Sequence, residues 1–307
     1  MNLKSTLGYD KPLFILAFDH RASFLKMFGL KEPLTPQQTK QMAEAKWLVY
    51  EGFKQAAATG TPPREDAGIL VDEQFGEAIH RDAGSAGYLN ILTVEKSGQD
   101  EFDFEYGDKF AEHIEMFKPR FTKVLIRYNP GGDKELNRRQ GARLKTLSDW
   151  CHKNGYKFLI EPLIPATAEQ LKEVGGDEAR YDREVRYKLM AQMVKELQEA
   201  GVEPDIWKIE GLEEPEQYEV VIKQARSGGR DGVSAVVLGR GADNSQVEKW
   251  LRAGAKVDGV VGFAIGRTIF KDALSKFGKK EISKDEGVAH IAENYKYFYE
   301  VFANAPK

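Results

Sequence analysis

Pro204-Asp205-Ile206-Trp207-Lys208-Ile209-Glu210-Gly211 reads as a short buried β-strand with a lysine in its middle and a glycine at its exit. A strand interior is a costly place for an ammonium group, which must give up its water. Such a lysine either pairs with a carboxylate or serves as an amine nucleophile. Glu210 lies two residues on, on the same strand face, so a structural pair is one reading. Schiff-base formation with a ketone is the other.

Similar runs lie on both sides of this strand. Upstream are Leu13 to Phe18, Ala67 to Val71, Tyr88 to Val94, Phe121 to Tyr128 and Tyr156 to Leu163. Downstream are Ser234 to Leu238 and Val257 to Ala264, the latter interrupted by Gly259 and Gly262. Helical patterns alternate with them: about 35 to 58, opened by Thr35-Pro36, then 75 to 81, 107 to 117, and 133 or 137 to 154. Further patterns run from about 182 to 200, from 214, up to 253, and in a tail from 283 to 303. Eight strands alternating with helices predict a (β/α)8 TIM barrel, one domain over 1–307. A doubly wound sheet competes with it. The barrel is preferred because polar residues follow nearly every strand, and in a barrel those exits converge on one mouth. The stretch Gly98 to Glu105, acidic with interleaved phenylalanines, predicts an ordered loop over that mouth.

Bulk properties narrow the function. In 307 residues, 41% are hydrophobic and 30% charged, which is enough apolar material for a full core. A net charge of −3 does not support a generally basic, nucleic-acid-binding surface. The single cysteine, Cys151, rules out an intrachain disulfide and reads as a packed thiol at a helix end. No stretch approaches a membrane span, and Met1 to Lys11 lacks the apolar run of a signal peptide, so the cytoplasm is the expected location. The histidines His20, His80, His113, His152 and His290 show no metal-ligand spacing. Neither a phosphate-binding Walker loop nor a dinucleotide fingerprint is present, and no cofactor is expected.

Projected into one mouth, the strand exits collect Asp19, Glu95, Lys96, Lys123, Arg127, Glu161, Lys208, Arg240 and Arg267. Lys123 and Lys208 are both expected to point inward, where a second cation would lower the Lys208 pKa. Asp19 and Glu161 are available for proton transfers. Gly239-Arg240-Gly241 and Gly266-Arg267 follow strands seven and eight, where many barrels bind phosphate through backbone N–H groups and a helix N-terminus. Solvated arginines in tight turns are the plain alternative there, and structural ion pairs are the alternative for each inward charge. Trp207 is expected to pack towards the helices.

Long motifs resemble the 2-deoxy-5-keto-gluconate 6-phosphate aldolase family of myo-inositol catabolism. They are Phe18-Asp19-His20-Arg21, Val71-Asp72-Glu73-Gln74-Phe75-Gly76, Val94-Glu95-Lys96-Ser97-Gly98-Gln99-Asp100, Ile126-Arg127-Tyr128-Asn129-Pro130, Asp205 to Gly211, Val237 to Gly241 and Gly262 to Thr268. That family's best-known members carry the domain behind a sugar kinase. More distantly, the strand pattern is similar to the tagatose-bisphosphate and sulfofructose-phosphate aldolases, which are class I barrel enzymes. That resemblance implies Lys208 as Schiff-base lysine, Glu161 for proton transfer, and Lys123 and Asp19 as partners. It also implies phosphate binding at Gly266-Arg267. Those relatives have a serine or alanine before the strand-seven glycine, where this chain has Leu238-Gly239-Arg240.

The resemblance implies cleavage of 6-phospho-5-dehydro-2-deoxygluconate to dihydroxyacetone phosphate and 3-oxopropanoate. The substrate carboxylate would then need a second cation, with Arg127, Arg21 and Lys96 as candidates. Two other readings stay open. One is a metal-assisted aldolase or isomerase using His20, Asp19 and Glu161, which a chelator would inactivate. The other is a non-catalytic regulator that binds sugar phosphates without turnover. A homo-oligomer is possible on any helical face.

Overall fold

The computed structural model describes residues 6–306. The eight apolar runs form parallel strands β1 (Leu13–Ala17), β2 (Ala67–Val71), β3 (Leu89–Thr93), β4 (Phe121–Arg127), β5 (Lys157–Leu163), β6 (Ile206–Glu210), β7 (Ser234–Leu238) and β8 (Val260–Ile265). They pair in sequence order, and β8 pairs back onto β1 to close the barrel. The doubly wound alternative is thereby set aside. Closure satisfies the backbone groups that an open sheet would expose at its edges.

Period-two alternation divides the side chains between two cores. Leu13, Ile15, Leu70, Ile91, Phe121, Leu159, Ile206 and Val236 point inward and fill the barrel's lower half. Tyr9 plugs the floor, its ring edge-on to Phe121 at 5.1 Å. The outward set, which includes Trp207, Ile209, Phe158, Ile160 and Val237, packs under the helices. Trp207 is therefore a packing residue, as its strand parity predicts.

The helices are α1 (Ala22–Met27), α2 (Pro36–Ala57), α3 (Glu73–Ala86), α4 (Phe110–Phe117), α5 (Lys134–Lys153) and α6 (Ala168–Glu173). They continue as α7 (Glu178–Glu184), α8 (Arg186–Glu199), α9 (Pro215–Ala225), α10 (Asn244–Gly254), α11 (Arg267–Gly278) and α12 (Lys284–Ala303). Thr35 caps α2 through a reciprocal bond with Gln38, and Asp133 caps α5 through Glu135 and Leu136. The choice between Asp133 and Asn137 as start of α5 falls to Asp133.

Three expectations are corrected. The helix expected from 182 to 200 is two, meeting at Val185, which ends α7 and opens α8. Between β5 and that pair, where the pattern shows no helix, lies α6, opened by a Thr167–Gln170 capping box. The eighth strand starts at Val260, because Gly259 at φ 94° is in the left-handed region.

Gly262 sits opposite Leu13 where β8 meets β1. A Cβ there would lie 2.0 Å from the Leu13 carbonyl oxygen. We expect Gly262→Ala to destabilise the fold by about 3 kcal/mol, because backbone at the closing seam cannot give way. Urea unfolding of the two proteins measures it.

Candidate active site

β4, β5 and β6 carry their charges in one layer directly above the apolar floor. Phe121, Leu159 and Ile206 are inward, so Lys123, Glu161 and Lys208, two residues further on, are inward too. The Lys123 ammonium sits among three carboxylates: Asp19 Oδ2 at 2.7 Å, Glu95 Oε1 at 2.8 Å and Glu161 Oε2 at 3.0 Å. Glu161 Oε2 also lies 2.8 Å from Lys208 Nζ. Thr93 Oγ1 donates to Asp19 Oδ2 at 3.0 Å. Asp19, Glu95, Glu161 and Lys208 are all buried together with Lys123.

The electrostatics follow from this packing. Burial disfavours the Lys123 ammonium, but Asp19, Glu161 and Glu95 outweigh it and hold the pKa well above the ordinary lysine value. Burial pushes the Asp19 carboxyl up, yet Lys123 and Lys208 bring it well below the usual carboxylate range. Glu161 is likewise lowered, burial being outweighed by the same two ammoniums. For Glu95 burial wins over Lys123 and Arg21, and its carboxyl is raised. Glu161 therefore stands as a bridging carboxylate between two lysines, where the sequence suggested two lysines side by side. Burial depresses His20 to about 4, so its imidazole is neutral.

Glu210, the expected in-strand partner of Lys208, is engaged elsewhere. Its Oε1 lies 3.1 Å from Arg240 Nε, its Oε2 3.7 Å from Arg186 Nε, and Oε2 also accepts the Ile164 N–H at 3.0 Å. Arg240 Nη1 donates to Asp182 at 2.8 Å, and Arg186 pairs with Asp182 as well. Arg240, expected to hold phosphate, is thus neutralised by two carboxylates. Its φ of 51° places it in the left-handed turn that leads to Gly241.

A cavity of about 670 Å³ opens above this layer, lined by Lys208, Glu161, His20, Arg127, Arg186 and Arg267 among others. Gly241 and Gly266 also line it, whereas Gly239 does not. Gly266 is placed at the N-terminal end of α11, so close to β1 that a Cβ would meet the Ala17 carbonyl at 2.2 Å. Arg267 opens α11, and its Nη2 donates to the Arg240 carbonyl at 3.2 Å. It pairs with no carboxylate among the described residues.

Of the remaining candidates, the structure brings Arg127 into the cavity wall and leaves two out. Arg21 is buried outside it, donating to Glu105 at 2.6 Å and to the Glu95 carbonyl at 2.5 Å. Lys96 is exposed and lies outside the lining. The sequence does not place Tyr181, Asp182 and Arg186 at the cavity they line, because the α7–α8 segment shows only a helical pattern from about 182 to 200. The Asp177 cap of α7 was the available signal. The carboxylates of the metal-assisted reading, Asp19 and Glu161, both point at Lys123, and the described residues include no group of three His, Cys, Asp or Glu side chains suited to a metal. Cys151 is a buried thiol whose pKa burial raises to about 12.

Residues 6–305 match the family model described as "Uncharacterized protein conserved in bacteria (DUF2090)". The chain belongs to the DUF2090 family. This member is similar to tagatose 1,6-diphosphate aldolase 2 of Streptococcus pyogenes serotype M1, at 23% identity over 165 residues. The match covers 51% of this chain and 46% of that relative, so the chain spans about half the length of the curated relative it matches. Its fold is similar to that of fructose-bisphosphate aldolase from Plasmodium falciparum, with a TM-score of 0.66 at 12% identity, covering 99% of this chain and 94% of the other. It is also similar to a Schiff-base-forming fructose-1,6-bisphosphate aldolase, with a TM-score of 0.56 at 14% identity, covering 98% and 100%. At these identities the two structures speak to the barrel alone. Among the described residues no helix is long and apolar enough to cross a membrane.

Proposed function

We propose that this DUF2090 chain is a class I aldolase acting on a phosphorylated ketose or keto sugar acid, with Lys208 as the Schiff-base nucleophile. The observation that carries the reading is the Lys208–Glu161 contact of 2.8 Å at the base of the cavity, with Lys123 fixing Glu161 from the other side. A buried lysine with a carboxylate at hydrogen-bond distance has what amine catalysis needs: a nucleophile and a group to move its proton. The half-chain similarity to a tagatose 1,6-diphosphate aldolase supports the substrate class.

In this reading Glu161 Oε2 takes a proton from the Lys208 ammonium, and the free amine adds to the substrate ketone. Glu161 returns the proton to the departing hydroxyl, water leaves, and an iminium remains. Glu161, again a carboxylate, takes the proton from the hydroxyl on the carbon β to the iminium carbon, and the carbon–carbon bond between the α and β carbons breaks. The bonding pair moves to the iminium nitrogen as an enamine, and an aldehyde departs. Glu161 gives that proton to the enamine carbon, and addition of water to the resulting iminium releases the ketone and regenerates Lys208. Lys123, held cationic by its three carboxylates, keeps Glu161 ionised and oriented. Arg267 and the N-terminal end of α11 receive the phosphate, since this arginine is not neutralised by a carboxylate and the helix end adds partial positive charge.

Within that class, the motif resemblance favours 6-phospho-5-dehydro-2-deoxygluconate, cleaved to dihydroxyacetone phosphate and 3-oxopropanoate. The curated relative's name favours tagatose 1,6-bisphosphate instead. A panel of the two substrates, with sulfofructose phosphate as a third, decides by kcat/KM. The test of the class is borohydride reduction in the presence of dihydroxyacetone phosphate. A stable mass adduct mapping to the Lys208 peptide is expected; an unmodified protein under turnover conditions would sink the Schiff-base reading.

A further inference from the structure

His20 lines the cavity at the exit of β1, the strand that closes the barrel against β8. Its ring packs on the Gly266 backbone, where a Cβ would stand 3.0 Å from His20 Cε1. Phe270 of α11 holds it from the side, edge-on with ring centroids 6.1 Å apart. The ring is therefore fixed in place by packing.

Its Nδ1 is buried and meets no partner among the described residues. Buried N–H groups are left without an acceptor more rarely than buried acceptors without a donor. The surroundings thus assign the proton of the neutral ring to Nε2 and leave Nδ1 bare. Burial keeps the ring neutral, and the charges that act on it are those of Asp19, Arg267, Lys208 and Glu161. His20 stands, then, among the nucleophile, the carboxylate beside it and the arginine at the phosphate end. It has an N–H that no described residue accepts.

An uncharged donor suits an oxygen on which charge develops during the reaction. The phosphate is anionic from the start and meets Arg267 and the N-terminal end of α11, to which a neutral ring adds no countercharge. The ketone oxygen becomes negative only as the amine adds to its carbon.

We infer that His20 is a further catalytic residue, donating from Nε2 to the ketone oxygen of the substrate while Lys208 adds to the carbonyl carbon. The N–C bond forms, the π pair of the carbonyl moves onto oxygen, and the His20 N–H stabilises that charge. Glu161 moves the protons that turn this oxygen into a hydroxyl and then into water, so His20 keeps its own proton throughout. This rests on the aldolase reading and adds an electrophilic group to its first step.

The test follows the borohydride-trapped adduct of dihydroxyacetone phosphate over time, by intact mass, at saturating ligand. In His20→Phe the adduct is expected to form about 100-fold more slowly than in wild type, the cost of one donor to a developing oxyanion, yet to reach the same final yield. The concentration of dihydroxyacetone phosphate that half-saturates the rate should stay the same. His20→Gln should regain most of the rate, because its amide N–H reaches the place of Nε2, and His20→Leu gives the donorless comparison without a ring. Formation at the wild-type rate in the donorless variants, or equal slowing in His20→Gln and His20→Phe, overturns the inference. So does weaker saturation with an unchanged maximal rate, which would put His20 on the phosphate. Each of these leaves the Schiff-base mechanism standing, whereas the absence of any adduct in wild type defeats the aldolase reading and this inference with it.

Discussion

Lys208→Met is expected to abolish both the borohydride adduct and turnover, with a rate loss of at least about 10⁴-fold. Among the described residues, the substitution removes the one cavity-lining amine that lies beside a proton-accepting carboxylate. Methionine has nearly the same length, so the wall stays filled. Glu161 keeps its contact with Lys123 at 3.0 Å, so no carboxylate is left without a cation. The variant should therefore fold with a Tm close to that of wild type. Intact mass after reduction, read beside a thermal melt, separates lost chemistry from lost structure. An adduct of undiminished yield in Lys208→Met would move the nucleophile to another residue.

Lys123→Met has the opposite signature, with a large loss of stability. It leaves Asp19, Glu95 and Glu161 buried within a few ångströms of one another, and of these only Glu161 retains a direct cation, Lys208. Removing one partner of a buried ionic cluster costs about 3–5 kcal/mol. The sign with pH follows from the carboxylates. In wild type the folded Asp19 and Glu161 pKa values are lowered, so they contribute stability above their unfolded values of about 4, lost as the pH falls through the folded ones. Without Lys123, burial and mutual repulsion raise them instead. Their cost is then absent while they are protonated and grows as the pH rises past about 4. The Tm gap between wild type and Lys123→Met should thus be wider at pH 8 than at pH 5. Melts at the two pH values check it; a gap that narrows at the higher pH would show that the cluster is not held together by the Lys123 charge.

The two variants also separate two kinds of buried lysine on neighbouring strands. Lys123 has more negative charge around it than it can balance alone, and its role is to hold that layer together. Lys208 shares a single carboxylate and faces the cavity. The distinction is one of surroundings, since both residues sit mid-strand among apolar neighbours in sequence.

Much of this was legible in the sequence. Eight apolar runs, their alternation with helical patterns and the polar residue after each strand are local properties, and local periodicity is what a single chain displays. Projecting the strand exits into one mouth brought Glu161, Lys123 and Lys208 together, and strand parity put Trp207 outside. The capping residue Thr35 marked where α2 begins. What the sequence by itself determined was therefore the order of elements and which face each side chain takes. Only the tertiary structure decided the partners: that Lys208 meets Glu161 and not Glu210, that Arg240 is taken up by Glu210 and Asp182, and that among the described residues Arg127 has only the exposed Asp100, at 3.9 Å, and Arg267 no carboxylate. The physical reason is that an ion pair depends on distance in space, and barrel closure brings together residues far apart along the chain, as Lys123 and Asp19 show at 2.7 Å across 104 positions.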